Sequence, residues 1–230
     1  MKLTVKDVAS LLQVSEKSIY RWIKSTDFPT HRVNDQYRFN RAEVLEWATA
    51  HRVTVSPDLL CEPDSHGAPM PTLVQALEDG GIHYRLEGAD KEGVLRAVVR
   101  MLRLPEEVDR DYLFRVLLAR EALGSTGVGR GIAIPHVRNP IVLHVPRATI
   151  TLCFLEKPVE FDAIDGQPVH TLFTLISPTV RAHLHMLSRL AFALHNPSFH
   201  EVIAGQGSRD AVLAAARAVE SSLPSGAPAS

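Results

Sequence analysis

The run Gly124-Ser125-Thr126-Gly127-Val128-Gly129-Arg130-Gly131 places four glycines in eight residues, and Ile132-Ala133-Ile134-Pro135-His136 follows it. Glycines accept positive φ and let main-chain amides come very close to an anion. The apolar residues and the proline stiffen the exit and hold one imidazole at its end. A histidine beside an amide-lined hollow can carry or attack a phosphoryl group. Attack needs a neutral ring nitrogen, which an imidazole pKa of about 6.5 supplies near neutral pH. The phosphorylated product carries roughly two negative charges and must be met by donors. Those available locally are the amides around Gly124 to Gly129, the hydroxyls of Ser125 and Thr126, and a guanidinium.

The stretch Arg120-Glu121-Ala122-Leu123-Gly124 through Ile134-Pro135-His136 closely resembles the phosphoacceptor signature of the fructose/mannitol/nitrogen-type enzyme IIA domains of the bacterial phosphotransferase system. The likeness continues in Phe161-Asp162-Ala163-Ile164-Asp165-Gly166-Gln167-Pro168-Val169 and in His183-Leu184-His185-Met186-Leu187-Ser188, and it covers about residues 72 to 220. The resemblance implies that His136 accepts phosphate from a small HPr-type histidine phosphocarrier. It implies Arg120 as the phosphate-facing cation, whose other reading is a charge on the helix C-terminal dipole. Arg138 is a second candidate, two residues past the acceptor. The family also keeps a supporting histidine, matched by His183. Residues two apart on a helix point about 200° from each other, so only one of His183 and His185 can face His136. The same spacing does not converge two ligands on one ion, and no metal or other cofactor is expected. Asp162 and Asp165 read as turn formers ahead of Gly166.

The elements that must position these residues are interleaved strands and helices. Ile82 to Leu86, Ala148 to Leu155 and Val169 to Ile176 have strand character, the last apolar enough to be buried on both faces. Helices are expected over Lys91 to Leu102, capped by Asp90, over Val108 to Arg120, over Val180 to Leu194 and over Arg209 to Val219. The expected class is therefore α/β, an enzyme IIA-like sheet flanked by helices, with a small N-terminal winged helix.

That head begins with Thr4 capping a helix over Val5 to Leu12, and Asp7 completes a capping box. Ser15 caps a second helix, Glu16 to Lys24, in which Ile19 and Ile23 share a face with Tyr20 and Trp22. His31-Arg32-Val33 and Gln36-Tyr37-Arg38-Phe39 form a hairpin around Asn34-Asp35, and Asn40 caps a last helix, Arg41 to Ala50, that packs Val44, Leu45 and Trp47. The order resembles the excisionase-like winged-helix domains related to the MerR DNA-binding head, over residues 3 to about 50. Docked like a helix-turn-helix, Lys17, Ser18 and Arg21 would enter the major groove, while Lys24, Arg32 and Arg38 would meet phosphates.

Residues 1 to 55 hold nine Lys/Arg against six Asp/Glu, a basic head on an acidic body, although the whole chain has a formal charge of only −1. This balance is compatible with nucleic-acid binding by the head. The domains are expected at 1–52 and 72–220, with a Pro-rich linker at 53–71 and a disordered tail at 221–230. No apolar run approaches a membrane span, no signal peptide precedes Lys2, and Cys61 and Cys153 lie far apart, so a reduced, cytoplasmic protein is expected.

Together these features indicate a transcriptional regulator, a phosphoacceptor more than a turnover enzyme. Its IIA-like domain would report phosphotransferase state to a DNA-binding head, and it would act as a homodimer because one small head binds DNA too weakly. Two rivals stand beside it: a phosphocarrier passing phosphate to a separate IIB protein, and a scaffold that binds proteins according to phosphorylation.

Overall fold

Thr72 accepts from the amide of Gln75 while Gln75 reaches back to the Thr72 amide, a capping box that opens helix α4, Leu73–Gly80. In the computed structural model, which describes residues 2–25, 28–33, 36–51, 53, 70–137 and 145–223, α4 is the first element of an α/β body. The body continues with β4 (Ile82–Leu86), α5 (Lys91–Met101), α6 (Arg110–Ala122), β5 (Gly127–Gly129), β6 (Ile132–Ala133), β7 (Thr149–Val159) and β8 (Val169–Ile176). Helices α7 (Val180–His195), α8 (Pro197–Ala204) and α9 (Arg209–Ser221) complete it. The head ahead of it consists of β1 (Lys2–Leu3), α1 (Val5–Leu11), α2 (Glu16–Ser25), β2 (His31–Val33), β3 (Gln36–Asn40) and α3 (Arg41–Ala50).

The five body strands lie in the order β4-β7-β8-β6-β5. Pairing is parallel for β4–β7 and β6–β8, and antiparallel for β7–β8 and β5–β6. Alternate residues of the central strands feed opposite faces. Ile150, Leu152, Phe154, Phe173 and Leu175 join Leu77, Leu187, Leu190 and Phe199 from the α4, α7 and α8 side. Cys153, Leu155, Leu172 and Ile176 join Val98, Leu113 and Leu117 from α5 and α6. β8 is thus buried on both faces, as its apolar run requires.

In the head, Thr4 and Asp7 form the expected capping box, and the Ser18 amide donates to the Ser15 hydroxyl at 3.2 Å. Phe28, Phe39, Trp22 and Trp47 make an aromatic core, and His51 stacks on Trp47 with centroids 4.1 Å apart. The head is not a separate bead. Helix α3 packs on α7 and β5, so that the buried apolar residues of head and body form one continuous cluster.

Several expectations change. Tyr20 leaves the apolar face of α2, is 44% exposed, and meets the edge of Tyr37. Helices α4 and α8 appear where none was expected, and α9 runs on to Ser221, the first residue of the expected tail. Of the linker, 54–69 lie outside the described residues, with Cys61 and His66; so do Asn34, Asp35, Arg138 and 224–230.

Candidate functional site

The glycine-rich run is a hairpin. β5 and β6 pair antiparallel across Arg130 and Gly131, whose φ values are +54° and +70°. The Arg130 amide donates to Asp165 at 2.7 Å, which ties the hairpin tip to the turn before Gly166. Gly127 is required by contact more than by φ: a Cβ there would lie 2.7 Å from the Ala163 Cβ and 2.9 Å from its Cα. Beyond β6 the chain stays in line with β8. The Leu175 amide donates to the Pro135 carbonyl at 3.0 Å, and His136 pairs with Leu175 as an isolated parallel bridge. The acceptor candidate is thereby fixed three residues beyond β6, alongside β8, and is only 3% exposed.

Its ring is held at both nitrogens. Nδ1 lies 2.8 Å from the Ile134 carbonyl. A carbonyl can only accept, so Nδ1 carries the proton and Nε2 carries the lone pair. The Arg120 Nε–H donates to Nε2 at 3.2 Å, and Arg120 Nη1 donates to the Gly124 carbonyl at 2.9 Å. Arg120 can do both because α6 extends to Ala122 and delivers it from the last turn. His183 is the fourth residue of α7, is buried, and sets its ring 5.2 Å from that of His136. The first turn of α7, with its partial positive charge, therefore lies beside His136.

His185 points elsewhere. It accepts from Arg189 Nε at 2.9 Å. Arg189 pairs with Glu220 at 2.8 Å, and Glu220 receives the amides of Leu73 and Val74 at the start of α4. Burial first, and then the Arg189 charge, pull the His185 pKa down to about 4, against a weaker upward pull from its bond to the Pro71 carbonyl. This polar string clasps α7, α9 and the start of α4.

The hydroxyls of Ser125 and Thr126, expected as phosphate donors, both donate to groups of the protein itself. The Ser125 hydroxyl donates to the Phe161 carbonyl and accepts from the Gly127 amide. Thr126 is buried, and both its amide and its hydroxyl donate to Glu121, at 3.0 and 2.6 Å. Thr126 thus spends its donors on a carboxylate of the protein, as the Arg130 amide does on Asp165. Glu121 has Lys91 Nζ at 3.6 Å as its counter-charge, and Lys91 also bonds Asp162 at 2.8 Å. That bond holds the Asp162 carboxyl below its usual range. Sequence reasoning missed Glu121, although a glutamate five residues before a threonine at a helix end was the available signal.

On the head, Lys17, Arg21 and Lys24 stand exposed along α2, and with Ser15, Ser18 and Tyr20 they line a shallow hollow. Ser18 Oγ lies 3.0 Å from Ser15 Oγ. Arg38 donates to the Tyr37 carbonyl at 3.2 Å and to Gln36. Arg32 belongs to β2, and its side chain is outside the described part. Among the described residues no group of His, Cys, Asp or Glu is arranged to hold a metal, and no helix is long and apolar enough to cross a membrane.

Two family models match the chain: "Phosphoenolpyruvate-dependent sugar phosphotransferase system, EIIA 2" over residues 75–217 and "Helix-turn-helix domain" over residues 3–52. A nitrogen regulatory protein of Pseudomonas aeruginosa is 40% identical over 136 residues, covering 54% of this chain and 81% of that protein. The fructose-specific EIIABC component of Bacillus subtilis is 31% identical over 145 residues, covering 61% of this chain but 22% of its relative. The crystal structure of the nitrogen regulatory protein IIA-Ntr from Neisseria meningitidis superposes with a TM-score of 0.52 at 34% identity, covering 59% of this chain and 92% of that one. Across six nitrogen regulatory proteins that it matches, the chain spans 63 to 85% of their length. With the sheet, the Ile-Pro-His strand end and the matched residues in agreement, the chain belongs to the EIIA type 2 family of the phosphoenolpyruvate-dependent sugar phosphotransferase system, and it carries a helix-turn-helix domain ahead of that domain.

Proposed function

We propose that the protein is a cytoplasmic DNA-binding regulator phosphorylated on Nε2 of His136 by an HPr-type phosphocarrier. The observation that supports this reading is the ring geometry: the bond from Nδ1 to the Ile134 carbonyl leaves Nε2, between Arg120 and His183, with the lone pair that a nucleophile needs. In the transfer, that lone pair attacks the phosphorus of a phosphohistidine on the carrier. A new N–P bond forms as the donor N–P bond breaks, and its electron pair returns to the donor imidazole. The Nδ1 proton stays in its bond to Ile134, so the positive charge gained by the ring offsets part of the phosphoryl charge.

Arg120 has two tasks in sequence. Its Nε–H occupies the lone pair at rest, so the guanidinium must move off Nε2 before phosphorus arrives. It is then close enough to bond phosphoryl oxygens, a charge-assisted contact stronger than a neutral one. His183 and the first turn of α7 add to the stabilising field on the other side. Leu123, 74% exposed between Arg120 and the hairpin, and the half-exposed Ile164 give an apolar rim for the carrier to dock on.

The head supplies the output. Its exposed α2 face has the residue types that read a major groove, and two heads in a homodimer would supply the affinity that one lacks. Coupling is supported by the packing of α3 on α7 and β5, the elements that hold His183 and the hairpin before His136. A second reading, a carrier passing phosphate to a IIB protein, is favoured by the relative named as an EIIABC component. The test is incubation of the full chain with phosphoenolpyruvate, enzyme I and the HPr-type carrier, then gel shift of both forms on genomic fragments. Phosphate-dependent DNA binding supports the regulator. Phosphorylation without DNA binding, with onward transfer to a IIB protein, supports the carrier.

A further inference from the structure

The buried carboxylate beneath the hairpin has a task beyond holding a loop. We infer that Glu121 is the positioning residue of the phosphoacceptor, acting through Thr126 and Ile134 on the tautomer and placement of His136; this rests on the reading of His136 as acceptor. The path is continuous. Glu121 receives the Thr126 amide at 3.0 Å and its hydroxyl at 2.6 Å. The Thr126 carbonyl receives the Ile134 amide at 2.9 Å. The Ile134 carbonyl receives His136 Nδ1–H at 2.8 Å.

Each link has a physical reason. The Glu121 side chain is 2% exposed, and such a charge persists only with several partners. Thr126 supplies two donors and Lys91 supplies the counter-charge. With Thr126 pinned from one side, its carbonyl stays aimed at Ile134 on the other. The peptide of Ile134 is then fixed by its own amide, and its carbonyl presents one lone-pair direction to the imidazole. If that carbonyl turns away, Nδ1–H loses its acceptor, the other tautomer becomes competitive, and the lone pair leaves Nε2. Arg120 adjoins Glu121 on α6, so one helical turn delivers both the cation on Nε2 and the carboxylate that sets Nδ1.

The experiment uses the full chain in two arms. Ring-nitrogen NMR of His136, identified by its absence in His136→Ala, reads the tautomer and needs no phosphate donor. Phosphorylation by the HPr-type carrier, over a range of carrier concentrations, reads the maximal transfer rate and the half-saturating concentration. Wild type should show Nδ1 protonated. Glu121→Gln, which keeps shape but loses charge, and Thr126→Val, which loses only the hydroxyl, should show mixed tautomers. Their maximal transfer rate should fall by about 10- to 100-fold, the scale expected of slight misplacement, while half-saturation changes little. Thr126→Ser should restore both readouts. The inference is overturned if Glu121→Gln and Thr126→Val keep the wild-type tautomer and rate. Should Glu121→Gln fail to fold, Thr126→Val alone decides by the same readouts. A wild-type chain that takes no phosphate from the carrier would defeat the acceptor reading instead, and the tautomer arm would still judge the relay.

Discussion

Around His136 the polar groups are buried or half-buried and answer one another: Glu121 with Thr126, Ile134 with Nδ1, Arg120 with Nε2. On α2 of the head, Lys17, Arg21 and Lys24 face water along an exposed helix. The first surface is preorganised by the protein alone, which suits stabilisation of charge that develops during a reaction. If the second binds DNA as proposed, it would acquire its order from that partner, with an affinity that is largely electrostatic and salt-dependent. Substitutions should therefore be strongly coupled in the body and nearly additive in the head.

The largest expected effect is at His136, the proposed acceptor. His136→Ala should abolish acid-labile, alkali-stable phosphate incorporation and leave binding of the unphosphorylated head to DNA unchanged. Undiminished labelling of that variant would break the body half of the comparison. Next is the pair on α7. His183→Ala should still accept phosphate, with transfer slowed about tenfold or more because a group beside the acceptor is lost. His185→Ala should transfer at the wild-type rate and instead lose about 1–3 kcal/mol of stability, the scale for breaking a partly buried hydrogen bond. Initial transfer rates and thermal unfolding of both variants separate these roles, and a slow His185→Ala with a normal His183→Ala would reverse them.

His185 also predicts a pH dependence. Its pKa is pulled down from 6.5 to about 4 in the fold, so the folded protein keeps it neutral where the unfolded chain takes a proton. The unfolded state then binds more protons, and stability falls as pH drops from about 6.5 toward 4. The unfolding midpoint of wild type should decline over that window, and that of His185→Ala should decline less steeply. Equal slopes would show that other groups dominate acid sensitivity.

The body's fold was legible because its signals are local and strong: an apolar run for β8, capped amphipathic helices, and the Ile-Pro-His element. Helix α4 was hidden by the prolines before it and the Gly80-Gly81 pair after it, although its capping box, Thr72 with Gln75, was a usable signal. Helix α8 likewise announced itself through Asn196 as cap and Pro197 at its first position. The glycines were legible as a loop but not as a hairpin, since the close approach of Gly127 to Ala163 depends on a turn 36 residues later. The Glu121 relay was hidden for another reason: its links are short in sequence, but they join residues that no helix or strand periodicity relates. In the head, Tyr20 reads as core by residue type, yet it is 44% exposed and only meets the edge of Tyr37 on β3.

Smaller effects sharpen the head half of the comparison, and they depend on how freely each arginine can move. Arg21 is exposed on α2, one turn after Lys17, while Ile19 is fully buried on the opposite side. From there a guanidinium can fork to guanine O6 and N7, a contact worth about 1–3 kcal/mol of base discrimination. Arg38 starts from a different state, since it already donates to the Tyr37 carbonyl and to Gln36. Held along β3, it presents charge to a phosphate without reaching a base edge. Arg21→Ala should therefore relax sequence preference. Arg38→Ala should weaken binding to all sequences alike and lower the slope of log affinity against log salt by about one. Titrating both variants against a selected operator and random DNA at two salt concentrations measures each effect separately. If Arg38→Ala changes preference while Arg21→Ala changes only the salt slope, the head lies on DNA through its hairpin and not through α2.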